Sequence, residues 1–408
     1  MNEKVMVVGL CALLGMGSVA SADTMLRPRK VESTEQRAMG GVDVALDTKN
    51  PANAALDSKK AFYMSLFESD VNMSISEFID VYRLVPDVMD FKDTMGLSDY
   101  SLDHKLTTLR GIIDRVKFDL DTRIRLEAVR INLGSPKVGR FQFGAYAESE
   151  VGAKVRLPEG LDESSLVFGK DGKPKHIDIG KDMDVLQAKG RADAGGFLSY
   201  GYGGMSLWKK AKLAAGIQAK GFHRWLVPMY TIHFKKEMKD DKDIDISDFE
   251  CQEGNGFAVD LYTTLDFNDP YVNARLAMEL QNTYAKTWYS DGTSQQDMQR
   301  MAIGGAVHPL YMLGIKDWVV ATDLEDVGHH EGPTWQFGTS YILGKERINF
   351  TPRLGLVINQ RDVFGQGGNH LLTGGFSTML GIFEIAGAYE YNWTTEAHNA
   401  AVKLGFKF

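Results

Sequence analysis

The chain ends on a strict alternation: Val402, Leu404, Phe406 and Phe408 are separated by Lys403, Gly405 and Lys407. A period of two, apolar on one side and polar on the other, describes a strand wetted on one face only. The pattern recurs upstream. Phe383, Ile385, Tyr389 and Tyr391 alternate with Glu384, Ala386, Ala388 and Glu390. Phe350, Leu354 and Leu356 alternate with Asn349, Thr351 and Arg353. Trp335, Phe337 and Tyr341 alternate with Gln336, Gly338 and Ser340, and Trp318, Val320 and Leu324 with Asp317, Asp323 and Glu325. Each segment is about ten residues long, the span of a tilted strand crossing a bilayer. On a soluble protein such an apolar face at a chain end would invite aggregation.

Connection lengths segregate. Short turns are predicted near 380–381, 343–347, 309–316 and 266–270. Longer loops are predicted at 392–397, 359–370, 326–333, 282–298 and 236–255. Short turns at one end and long loops at the other are the habit of bacterial outer-membrane barrels. Further strands are predicted at about 272–282, 256–266, 226–235, 212–222 and 186–203, with one or two in 138–157, another at 122–133 and the first at 61–68. The expected fold is an all-β membrane barrel of about 14 antiparallel strands, 12 or 16 also being compatible. Counting ends places 158–185 on the short-turn side.

From Glu77 to Val116 the period becomes helical. Leu102, Leu106, Leu109, Ile113 and Val116 form one stripe, and Ser74 with Glu77 has capping-box spacing. Pro86 and Gly96 divide this insertion into two or three short helices. It is expected to plug or cap the barrel, or to form a hairpin in the periplasm.

The first residues add a compartment. Lys4, the apolar run from Val5 to Leu14 and Ala20-Ser21-Ala22 read as a secretory signal over 1–22, with Asp23 opening the mature chain. Cys11 falls inside it, which leaves Cys251 without an internal disulfide partner. A net charge of −8 gives no nucleic-acid footprint. The first run is too short for a membrane helix and no other apolar stretch is long enough, so strands must do the crossing.

Arg37-Ala38-Met39-Gly40-Gly41-Val42-Asp43-Val44-Ala45, followed by Asn50-Pro51-Ala52, resembles the opening of FadL-like outer-membrane barrels, including their TraF-like and PorV-like groups. Segments 215–220, 256–261, 320–327 and 337–341 fit the same order. The helical insertion is closest in pattern to the TraF-like group. The resemblance implies an N-terminal hatch over 23–59, in which Gly40, Gly41, Asn50, Pro51 and Ala52 hold a plug, ahead of a barrel over 60–408. It also implies either passage of a small hydrophobic molecule past that plug, or docking of a secretion, conjugation or other envelope partner. The closing strand with Phe406 and Phe408 resembles the assembly signal of outer-membrane proteins. The expected location is therefore the bacterial outer membrane, and the expected partners are its lipid and the barrel assembly machinery.

Catalytic motifs are missing: there is no Gly-x-Ser-x-Gly elbow, no His-Glu-x-x-His helix and no phosphate loop. His329-His330-Glu331 and the acidic run Asp240-Asp241-Lys242-Asp243 read as solvated loops, not metal sites. No enzyme activity, cofactor or metal is expected. By alternation Asp323, Glu325, Arg353, Glu384, Glu390, Lys403 and Lys407 should face the lumen, where charges pair with each other and with a plug.

Overall fold

The computed structural model describes residues 33–39, 41–47, 49–56, 61–74, 119–135, 138–155, 166–168, 170, 174–178, 180, 182–208, 210–235, 237–238, 244–246, 251–328, 332–345, 347–361 and 368–408. Fourteen antiparallel strands form the wall, labelled here in chain order. They are β1 (Phe62–Ser74), β2 (Asp119–Ser135), β3 (Gly139–Val155), β4 (Met183–Trp208), β5 (Ala211–Phe234), β6 (Gln252–Asn268) and β7 (Asn273–Tyr289), followed by β8 (Arg300–Val307), β9 (Trp318–Glu325), β10 (Thr334–Tyr341), β11 (Ile348–Gln360), β12 (Asn369–Leu380), β13 (Phe383–Asn392) and β14 (Ala397–Lys407). Each pairs with its sequence neighbours, and β1 pairs with β14 in the register Ser69↔Leu404 and Val71↔Val402, which closes the barrel. Closure leaves no unpaired edge, the condition for placing strands in lipid.

The burial pattern is inverted relative to a soluble protein. Val402 and Leu404 are 54% and 52% exposed, whereas Lys403 between them is 3% exposed. The outer surface is therefore the apolar one. Trp225, Trp288, Trp335 and Trp393 stand exposed toward the long-loop ends of their strands, and Phe141, Trp208, Tyr271, Phe350 and Phe383 toward the short-turn ends. Two aromatic bands of this kind sit at the two interfaces of a bilayer. No described helix is long and apolar enough to cross a membrane.

Several sequence expectations are corrected. The two strands predicted at 212–222 and 226–235 are one strand, β5, of 24 residues. The intervening residues 223–225 do not turn: Arg224 points inward and is 1% exposed. Removing that extra strand restores parity and moves 158–185 to the long-loop end. Ser74 is the last residue of β1, paired with Asn399. The loop predicted over 282–298 is mostly sheet: β7 runs on to Tyr289 and pairs with a short strand, Ser294–Gln296. The segment 138–157 holds one strand. The helical expectation over 77–116, apart from its cap, lies outside the described residues, as do His329-His330-Glu331 and the signal segment. Side chains of the acidic run from 240 are likewise undescribed.

Candidate channel interior and the segment inside it

Residues 33–56 lie inside the barrel, in contact with the wall. The segment carries two short helices, α1 (Thr34–Ala38) and α2 (Pro51–Leu56). α1 opens on a capping box: the Ser33 N–H donates to Gln36 Oε1 at 2.6 Å, and the Gln36 N–H to Ser33 Oγ at 3.4 Å. Gly41 follows with φ +84, a backbone region that disfavours side chains, and its N–H reaches back to the Gln36 carbonyl at 2.7 Å. Asn50 caps α2, accepting from the N–H groups of Ala52 at 2.9 Å and Asn53 at 3.3 Å. Pro51 takes the first helical position, where a missing N–H costs nothing.

The wall yields room for these helices through glycine. A Cβ at Gly201 of β4 would stand 1.8 Å from the Pro51 carbonyl oxygen, and one at Gly338 of β10 would stand 2.3 Å from that of Met39. No side chain fits at either place, so the backbones approach directly.

Polar contacts then fix the segment. Asp323 Oδ2 accepts the N–H of Asp43 at 2.6 Å and of Val44 at 2.8 Å. Arg37 pairs with Glu390 at 3.1 Å, both nearly inaccessible. Thr34 donates its N–H and hydroxyl to Asp70 of β1. Lys403 touches three carboxylates: Glu35 at 2.8 Å, Glu384 at 2.8 Å and Glu68 at 3.3 Å. Burial alone would raise the Glu35 pKa, but the ammonium groups of Lys403 and Lys407 hold it well below the usual carboxylate range. Asn53, fully buried, donates to the carbonyls of Val44 and Asp47 at 3.0 Å each and accepts from Thr264 of β6 at 2.7 Å.

Of the residues singled out by sequence, Asp323, Glu384, Glu390 and Lys403 are buried on the inner face. Glu325 is also buried and pairs with Arg300 at 3.5 Å, away from the inner segment. Lys407 contacts Glu384. Arg353 binds Ser377 Oγ at 2.6 Å. Phe406 packs its ring 5.1 Å from Phe383, and Phe408 hydrogen-bonds Met64 of β1, so the chain end completes the closing seam. Gly40 lies outside the described residues. The sequence reading passed over Asn53, although it adjoins the quoted Asn-Pro-Ala, and gave no role to Arg37, although that residue opens the quoted glycine-rich stretch. It also missed the inward charges of β2–β7, where Arg130 pairs with Glu127 at 2.8 Å and Arg224 with Asp193 at 2.7 Å and Asp297 at 2.6 Å. Alternation within 186–203 already put Arg191 and Asp193 on one face.

Two cavities border the inner segment. One of about 120 Å³ lies toward the long loops among Arg125, Glu127, Arg191, Asp193 and Arg224. One of about 650 Å³ lies toward the short turns, with Tyr63, Arg140, Ile342 and Lys407 among its walls. Asp47, Lys49 and Arg130 border both. Among the described residues no cluster of His, Cys, Asp and Glu is arranged to hold a metal ion.

No protein-family model matches the sequence, and comparison with curated proteins finds no match. Solved structures similar in fold include the toluene transporter TbuX of Ralstonia pickettii, at 13% identity over 92% of this chain and 98% of that one, with a TM-score of 0.45. The toluene transporter TodX of Pseudomonas putida is similar at 9% identity, over 94% and 99% of the two chains, with a TM-score of 0.42. The translocator domain of the autotransporter NalP from Neisseria meningitidis is similar at 9% identity, over 88% and 91%, with a TM-score of 0.34.

Proposed function

We propose that the protein is an outer-membrane channel for a small hydrophobic molecule and that residues 33–56 are its movable plug. The observation that carries this reading is the place of that segment, inside the lumen with a cavity on either side. Its attachments suit release. They are hydrogen bonds and ion pairs, which water can replace, together with small apolar clusters built largely of alanine, such as Ala38 with Ala388 and Ala401. Alanine contacts bury little area, so undocking forfeits far less than a leucine or phenylalanine core would.

The test is a reversible lock. In a Cys251→Ser background, Ala38→Cys with Ala388→Cys would tether α1 to β13. Naphthalene flux into proteoliposomes should stop when the tether is oxidised and return on reduction, and deletion of 37–52 should raise it. Equal flux in all these states would overturn the proposal. The alternative is a non-transporting barrel that docks an envelope partner. It is favoured by the paired charges that crowd the middle of the lumen. It expects a protein retained in stoichiometric amount after mild cross-linking, and no flux in any state.

A further inference from the structure

At one place the wall is too low for a bilayer. β8, β9 and β10 have eight residues each. Eight residues rising about 3.4 Å apiece, on strands tilted about 40°, span roughly 20 Å, less than the apolar band of about 25 Å that an outer-membrane barrel presents. The long-loop end does not supply the missing height. There Arg300 pairs with Glu325 and Asp326 at the ends of β8 and β9, so charge begins where the strands stop.

The short-turn end is different. Pro309-Leu310-Tyr311-Met312-Leu313-Gly314-Ile315, between β8 and β9, is a run of seven residues without a charge. Tyr311–Leu313 form one 3₁₀ turn, ended by Gly314 at φ +81. The Gly314 N–H donates to the Tyr311 carbonyl at 3.0 Å and the Ile315 N–H to the Leu310 carbonyl at 3.2 Å. Bonds closed within the turn lower the cost of taking its backbone out of water. Met312 and Leu313 are nevertheless 62% and 70% exposed. The His308 N–H on one side reaches the Asn273 carbonyl, and the Asp317 carbonyl on the other accepts from the Ile342 N–H, so the neighbouring turns are tied to this one. Tyr271, Val272 and Leu343 on those turns are exposed as well, which makes one apolar rim.

A patch of this kind marks contact with protein or with membrane. The missing height favours membrane, and so does continuity: exposed Val307 and Val320 of the lipid-facing wall stand on the strands that enter and leave the turn. Lys316, the first cation after the apolar run, lies 5.2 Å from the centre of the Tyr311 ring, as a lysine does when it reaches toward headgroups beside an interfacial aromatic. The β4–β5 turn, under taller strands, carries instead the exposed Lys210, paired with Asp269.

We infer that the β8–β9 turn is a foot immersed in the periplasmic leaflet, with Met312, Leu313 and Ile315 among phospholipid acyl chains and Lys316 at the headgroup phosphates. The foot completes the apolar band under the three shortest wall strands. It thereby fixes the depth of the strands whose Asp323 and Gly338 meet the inner segment. It requires no transport and stands whether or not the lumen conducts.

The experiment uses the full chain with Cys251→Ser in phosphatidylethanolamine and phosphatidylglycerol liposomes, spin-labelled through Met312→Cys or Leu313→Cys. Both side chains are exposed, so the labels displace no packing. Leu354→Cys, outward on β11, is the lipid reference, and Ser290→Cys, beyond the long-loop end of β7, is the aqueous one. Labels at 312 and 313 should collide with oxygen several-fold more than with a water-soluble nickel chelate, as at 354, with the order reversed at 290. Nickel collisions as frequent as those at 290 would place the turn in water, free for a protein partner, and would overturn the inference. Spin–spin broadening that survives dilution in lipid would give the face to a second copy and overturn it too. A second measurement varies bilayer thickness. Leu313→Asp should lower the urea midpoint in dioleoyl bilayers, and lower it less in thinner dilauroyl ones, where the band needs no foot. An equal change in both bilayers, or no change in either, would count against the foot.

Discussion

The two halves of the wall are built to different heights. Strands β8 to β14 have 8 to 13 residues, near the 9 to 11 or so that a tilted strand needs to cross a bilayer. Strands β2 to β7 have 17 to 26. Their short-turn ends are tied by tight connections at 135–139, 208–211 and 268–273, so the surplus rises at the long-loop end. The inward charges differ accordingly. Toward the long loops of the tall half they answer each other: Arg224 holds Asp193 and Asp297, and Arg191 holds Glu148, while lower in that half Glu127 and Glu279 reach Lys49 and Asn50 of the inner segment. In the short half they answer the inner segment: Asp323, Glu390 and Lys403 bind Asp43, Arg37 and Glu35. The charges at the long-loop end of the tall half satisfy one another, whereas those of the short half are answered largely by residues 33–56, whose helix α2 rests on the lower part of the tall half.

This contrast breaks most sharply at Arg224. Arg224→Leu strands buried Asp297 and leaves Asp193 only Arg191, which costs about 3–5 kcal/mol. The loss should appear as a lower urea midpoint for the whole barrel, with the inner segment still protected from protease. Lys403→Met is a loss of the same class in the short half, since it strips the shared cation from Glu35, Glu68 and Glu384. Here the expected outcome is protease cleavage within 33–56 of a barrel that still migrates as folded on gels. If both variants lose the barrel equally, the division between the halves is wrong.

Gly201 offers a smaller perturbation, one of fit rather than charge. Gly201→Val places atoms where the Pro51 carbonyl stands. Overpacking of this kind costs about 1–3 kcal/mol. α2 should detach while Asp323 continues to hold residues 43 and 44, so cysteine labelling at position 54 should rise and labelling at 43 should not. Labelling that rises equally at both positions would show that the segment undocks as a single piece.

The wall was legible in the sequence because alternation in lipid is a local signal: every inward charge sits next to an outward hydrophobe. Asp323, Glu384 and Lys403 could be placed inward from that alone. The length of β5 was not legible, since a strand that leaves the bilayer meets water on its outer face as well and loses its apolar partner positions. Asn53 escaped for another reason. Its value lies in Thr264 of β6, more than two hundred positions away, and no periodicity connects them. Arg353 was placed on the inner face, but its bond to Ser377 of β12 depends on which strands stand beside it.

The mildest expected effect tests the short half through its titration. Glu35 is held below the usual carboxylate range by Lys403 and Lys407 against the upward push of burial. A group depressed in the folded state stabilises docking fully above its unfolded value of about 4.5, and the contribution is lost as pH falls through the folded value. The Glu35 contribution to protection of residues 33–56, read as the ratio of wild type to Glu35→Gln, should therefore persist unchanged from pH 7 to pH 5 and begin to fail only in stronger acid. Glu35→Gln removes a charge-assisted contact worth roughly 1.5 kcal/mol. It should weaken protection by a constant factor across pH 5 to 7, because Glu35 stays ionised throughout that range. A ratio of wild type to Glu35→Gln that already shrinks by pH 5 would mean that Glu35 is not the ionised partner of Lys403, and α1 would be held instead by Arg37 on β13 and Asp70 on β1.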